Sequence, residues 1–249
     1  MDHKRNETEL LRAKLRDCLR ASQRRPCFLG FLDESQAAMC QDFLKWEPGS
    51  CLLWGGYEDA ERRMAGFFPD YMEPEPAAFP IAALTLGFRQ EDRPGHRDFL
   101  GSFMGLGIER DVVGDILIGE DHCVVFVREE MRRFFLDNIR KIGRVGVKIT
   151  EGYEAPLPVI RTYRAISGVV ASNRLDCLTA LLCRTSREKA AGMVTAGLAA
   201  LNHREVLDTD RRIEEGDVLS IRGHGKFIVD SLGPLTSKGR LTVKCRKYE

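Results

Sequence analysis

The sequence predicts an α+β protein in three parts, and three observations carry that expectation. Residues 81–149 alternate strand and helix patterns in the order β-α-β-β-α-β, the split arrangement of an antiparallel sheet backed by two helices. Ahead of them, Pro69, Pro74, Pro76 and Pro80 stand among acidic residues, a composition that suits a linker. After residue 172, two short helical patterns punctuated by Gly197 run into strands separated by Gly216 and Gly223. The expected division is a small N-terminal α/β domain over 1–76 and a ferredoxin-like domain over 77–153. A linker over 154–172 and a C-terminal module over 173–249 complete it.

In the first part, Leu10, Leu11, Leu15 and Leu19 recur at helical spacing with Lys and Arg on the other face, which predicts a helix over 7–22 ended by Pro26. Residues 27–32 read as a short buried strand. Asp33 is placed to cap a second helix that carries Ala37, Ala38, Met39, Phe43 and Leu44. Strands follow at 50–54 and 63–68, with Gly55-Gly56 between them.

The central rhythm is clearer. Residues 81–88 form an apolar strand, and 96–106 a helix with Phe99, Leu100, Phe103 and Met104 inward. Strands are expected at 114–118 and 123–127, a helix at 129–141 and a last strand at 145–149. RRM domains use the same plan and stack bases on aromatics of the central strands. Here only Phe126 could serve, because the remaining residues of those strands are mostly Ile and Val. In the last part, Ser172 or Asn173 caps a helix with Leu175, Leu178, Leu181 and Leu182. Thr185 or Ser186 starts a second with Ala190, Met193 and Val194, and Gly197 sits at its C′ position. A hairpin turning at Asn202-His203 and a strand over 218–222 close the reading.

Composition bounds the function. Of the 249 residues, 43% are hydrophobic and 30% charged, with a formal net charge of +1, which suits a soluble globular chain. That average hides an asymmetry: residues 28–127 hold 7 Lys and Arg against 18 Asp and Glu, whereas 173–249 hold 14 against 10. Basic flanks around an acidic middle let a chain meet a polyanion with chosen faces. The eight cysteines form no C-x-x-C pair and none has a histidine at ligand spacing, so neither a metal site nor a cofactor is expected. The start is charged and lacks an apolar signal core, and no stretch approaches the roughly 20 apolar residues of a membrane span. A cytoplasmic location with reduced thiols follows as the expectation.

The candidate binding residues lie in the last part. Arg187 and Lys189 fall on the first turn of the second helix, where backbone N–H groups and the positive dipole end favour a phosphate. Ser186 either caps that helix or adds a hydroxyl to the site. Arg174 opens the first helix beside Asp176, as an ion pair or as a phosphate ligand. Arg222 and Lys226 flank Gly223 and Gly225, whose missing side chains allow close approach of a backbone.

This set resembles the S4-type (alpha-L) RNA-binding domain. The resemblance rests on Arg174-Leu175-Asp176, Ser186-Arg187 with Ala190, and Gly197 with Leu201-Asn202. It continues through Gly216-Asp217 and Ile221-Arg222 to Lys226-Phe227. It implies RNA contacts at Arg174, Ser186, Arg187 and Lys189, with Asn202, Arg222 and Lys226 as a second tier. Leu198-Ala199-Ala200 and His203 depart from the usual pattern, which has β-branched residues and a glycine there.

A second resemblance spans almost the whole chain. Residues 96–102, 105–110, 114–118 and 142–147 look like the central domain of YlmH-type bacterial proteins. It implies the three-part order above and association with the large ribosomal subunit. The implied partners are ribosomal RNA and, further, tRNA, in rescue or quality control of stalled subunits carrying peptidyl-tRNA. Some family members sit in cell-division gene neighbourhoods.

Enzyme motifs fail one by one. His96-Arg97-Asp98 resembles a kinase triplet, but Phe103 occupies the required asparagine position. No P-loop, H-E-x-x-H or G-x-S-x-G occurs. The reading is a non-enzymatic RNA-binding protein. The runner-up is a pseudouridine synthase or methyltransferase that uses the C-terminal module for delivery, and a third is a scaffold binding proteins through its acidic middle.

Overall fold

A computed structural model describes residues 2–158 and 163–248 of the chain, which divides into two compact units at 1–160 and 161–249. Residues 159–162 of the expected linker lie outside the described residues. The first unit opens with α1 (Asp2–Ala21), β1 (Cys27–Leu32), α2 (Glu34–Trp46), β2 (Ser50–Trp54) and β3 (Arg63–Phe68). The antiparallel sheet runs β1-β3-β2. Asp33 caps α2 as expected: the Gln36 N–H donates to Asp33 Oδ1 at 2.8 Å, and the Gln36 side chain accepts from the Asp33 N–H. Leu11, Leu15 and Cys18 of α1 meet Ala37, Cys40 and Phe43 of α2 over Ala65 and Phe67.

The unit continues with β4 (Ile81–Gly87), α3 (His96–Gly105), β5 (Val113–Ile118), β6 (His122–Arg128) and α4 (Arg132–Asn138). A hairpin of β7 (Lys141–Ile142) and β8 (Val145–Gly146) precedes β9 (Lys148–Glu151). The four-stranded sheet has the order β5-β6-β4-β9, all antiparallel. This is the split β-α-β-β-α-β plan, and β4 alternates buried and half-buried residues as a one-faced strand should. Two expectations move. The helix predicted over 129–141 begins as a 3-10 turn and ends at Asn138, with the Arg140 guanidinium donating to the carbonyls of Leu136 and Ile139. The strand predicted over 145–149 divides between β8 and β9, because Val145 turns back onto Ile142.

One face of this sheet packs on α3 and α4 through Phe99, Phe103 and Phe135. Its other face is covered by the first sheet: Phe31, Met64 and Phe68 share a core with Phe79, Val124 and Phe126. The proline-rich stretch therefore carries Phe79 into packing instead of acting as a free spacer. A polar clamp fixes the same seam. Asp115 accepts from the Tyr57 hydroxyl at 2.7 Å and from the N–H groups of Glu61 and Arg62 at 2.8 and 3.0 Å. The Arg62 guanidinium donates to the carbonyls of Val113, Phe31 and Arg110.

The second unit holds β10 (Tyr163–Val170), α5 (Leu175–Cys183), α6 (Arg187–Thr195), β11 (Ala199–Leu201) and β12 (Arg204–Glu205). It ends with β13 (Val218–Ile221), β14 (Gly225–Leu235) and β15 (Leu241–Tyr248), and its sheet order is β10-β15-β14-β13-β11-β12. Leu175, Leu178, Leu182 and Val194 of the helices pack on Leu219, Phe227, Val229 and Val243 of the sheet. Residues 163–170 correct the sequence reading, which put them in a linker: they form an eight-residue edge strand paired along its length with β15. Among the described residues no helix is long and apolar enough to cross a membrane.

Candidate nucleic-acid interface

Local sequence builds the junction of α5 and α6. Arg184 ends α5 in the left-handed conformation (φ 52°, ψ 49°) and turns the chain through Thr185. Ser186 is the N-cap of α6, its hydroxyl accepting from the Lys189 N–H at 3.2 Å. The cap of α5 is Arg174, not Ser172 or Asn173. Gly197 (φ +71°) stops α6 where the sequence placed it.

The electrostatic centre of this junction is Asp176: the ion pair with Arg174 that the sequence offers as one alternative is present, and Arg187 joins it. The Asp176 side chain is 4% exposed and accepts from Arg187 Nε at 2.8 Å and from Arg174 at 3.2 and 3.3 Å. Burial pushes the Asp176 carboxyl up, but the hydrogen bonds from Arg187 and Arg174 outweigh it and hold it below the usual carboxylate range. Both guanidiniums are raised in turn, chiefly by their hydrogen bonds to Asp176. Arg174 also pairs with Asp210. Arg187 remains 54% exposed and spends Nε on Asp176, which leaves its terminal N–H groups outside that bond.

The two helix starts differ. At α5 the N–H groups of Leu175 and Asp176 donate to the carbonyls of Arg211 and Thr209, so that end is closed. At α6 the N–H groups of Arg187 and Glu188 have no protein acceptor among the described residues, and the Arg184 and Lys189 side chains are exposed with no ion pair there. Arg184, Arg187 and Lys189 all lie within three residues of this open end, a place for an anion.

The remaining candidates lie elsewhere. The Arg222 N–H donates to the Leu198 carbonyl, and the Leu198 N–H closes the far end of α6 on Met193. Nine residues of helix, about 13 Å, separate that end from Arg187. Lys226 sits on β14 with its ammonium 4.7 Å from the Tyr248 ring centroid. Asn202 serves the fold. It adopts φ 48° at the β11–β12 turn, donates to Asp217 at 2.7 Å and accepts from the Val218 N–H at 2.9 Å. The one aromatic considered for base stacking in the central sheet is shut away: Phe126 is 1% exposed and stacks on Tyr57 at 5.2 Å.

Comparison with known proteins adds to this geometry. Residues 74–154 match the family model described as "Putative RNA-binding domain in YlmH". The chain is 31% identical over 191 residues to "Ribosome-associated protein quality control protein P2" of Bacillus subtilis (strain 168), across 76% of this chain and 74% of that protein. It is also similar to the solved "Cell division protein ylmH from Streptococcus pneumoniae", at 25% identity. That similarity covers 59% of this chain and 88% of the other, with a TM-score of 0.48.

Proposed function

The chain belongs to the YlmH family, and on that premise we propose that it is a non-enzymatic protein that binds ribosomal RNA of the large subunit. It acts there in quality control or rescue of stalled subunits, with peptidyl-tRNA as a second contact. The observation that carries this reading is the α5–α6 junction. A buried Asp176 holds two guanidiniums in place beside an open helix start and two further exposed cations, Arg184 and Lys189. Such an array meets phosphates at fixed spacing and reads shape, not base sequence. The name of the Bacillus subtilis relative, a ribosome-associated quality control protein, points the same way. So does the likeness of residues 173–227 to S4-type RNA-binding domains.

The test is co-sedimentation of an Arg184→Glu, Lys189→Glu variant with large subunits. Both side chains are exposed, so thermal unfolding should match the parent while co-sedimentation is lost. Unchanged co-sedimentation would sink the proposal. Subunits carrying peptidyl-tRNA should retain the parent chain more strongly than empty ones, and equal retention would remove the tRNA contact.

A further inference from the structure

The second unit has another face that the α5–α6 junction does not explain. Directly opposed residues of antiparallel strands project to the same side, and neighbours along a strand to opposite sides. Phe227, Val229, Val243 and Cys245 point into the core toward the helices, so Lys226, Lys244, Arg246 and Tyr248 point outward. Tyr163 joins them, because it pairs with Tyr248 in the register of β10 and β15. The two rings meet edge to face with centroids 5.0 Å apart. Each carries a cation: Lys226 lies 4.7 Å from the Tyr248 centroid and Arg246 lies 4.9 Å from that of Tyr163. Lys244 is exposed on the same strand. On these three strands the opposing charge is Asp230, which pairs with Arg246 at 2.8 Å.

We infer that this outer sheet face is a second RNA-binding surface, one that takes an unpaired single strand. Tyr163 and Tyr248 offer platforms for bases, and Lys226 and Lys244 meet the phosphates beside them. Alternating aromatic rings and cations on an open face is the chemistry of single-strand binding, where every base has a ring to stack and every nucleotide a charge to neutralise. A paired duplex hides its base faces and gains nothing from the tyrosines. The surface lies on the opposite side of the sheet from α5 and α6, so the junction and the sheet face engage separate stretches of RNA. The inference rests on the RNA-binding reading above.

The experiment uses the full chain, purified large subunits and a labelled ten-nucleotide oligouridine. A Tyr163→Leu, Tyr248→Leu variant keeps apolar bulk but loses the rings, and should weaken oligouridine binding by roughly tenfold per tyrosine. A Tyr163→Phe, Tyr248→Phe variant keeps the rings and should bind as the parent does. Lys244→Glu, a change at an exposed position that does not depend on the leucine variant folding, should weaken binding and lower the slope of log affinity against log salt by about one. Undiminished oligouridine binding by the leucine and Lys244→Glu variants would overturn the inference. So would a parent chain that binds large subunits but no oligouridine, which leaves the proposed function standing. A parent that binds neither overturns both. If the leucine variant keeps oligouridine but loses subunits, the face contacts a protein and the inference fails.

Discussion

The two units use arginine in opposite ways. In the first, Arg62 is sunk into the seam between two sheets, and its guanidinium is consumed by carbonyls of Phe31, Arg110 and Val113. Burial lowers Arg62 and pushes Arg110 down to about 10, the nearby carboxylates only partly offsetting it. In the second unit, Arg174 and Arg187 grip one buried carboxylate, Arg174 also pairs with Asp210 while Arg187 stays half-exposed, and the proton affinity of both is raised. The difference separates an arginine that holds a fold from one held by the fold. A cation pulled down by desolvation has given its donors to the protein. A cation raised by a fixed anion is oriented and still has donors for a second partner.

Substitutions test that contrast, beginning where the effect is largest. Asp115→Ala leaves the Tyr57 hydroxyl and two N–H groups without their acceptor inside the clamp. It should destabilise the first unit by about 3–5 kcal/mol, seen in calorimetry as loss of that unit's transition while the second unit's transition stays. A shift below about 1 kcal/mol would mean the clamp is no more than a surface pair. Asp176→Asn should cost the second unit about 1–2 kcal/mol, since one partner, Arg187, is half-exposed. It should also weaken RNA binding although it removes a negative charge, because the guanidiniums lose their base. Tighter binding by this variant would show that Asp176 opposes the RNA instead of positioning its ligands.

The pH dependence has a definite sign. The folded Asp176 carboxyl is held below its ordinary value, so its contribution is fully present above the ordinary carboxylate range. It disappears as pH falls through the lower folded value. Denaturation of the parent should therefore ease in acid below about pH 4, and Asp176→Asn should flatten that part of the curve. Ser186→Ala is the smallest change. Loss of the cap should cost about 1 kcal/mol and leave the RNA affinity nearly as it was. A large affinity loss without unfolding would instead place the hydroxyl on the RNA.

Much of the fold is legible in the chain. Phe99 and Phe103 keep helical spacing, Ile81–Gly87 is a short apolar run, and Asp33 with Gln36 writes its own capping box. These signals are local, and local chemistry decides them. The strand Tyr163–Val170 was not legible, since it is a polar edge strand and its partner begins more than seventy residues later at Leu241. The fold role of Asn202 was hidden for the opposite reason. A left-handed turn residue and an RNA-contacting amide look alike until Asp217 is brought beside it. The clamp at Asp115 escaped altogether, because its partners at 57, 61 and 62 lie more than fifty positions upstream.

The sequence by itself determined most of the helices and the strands of the first unit, where α6 starts and stops, and that cations gather at 184, 187 and 189. Periodicity and caps act over one or two turns, so a single chain carries them openly. Only the tertiary structure decided that Asp176 is buried between Arg174 and Arg187. It alone closed the start of α5 with the carbonyls of Thr209 and Arg211, and set Tyr163 against Tyr248 beside Lys226. A charge acquires its meaning from its solvation and its neighbours, and both are supplied by parts of the chain that meet only when it folds.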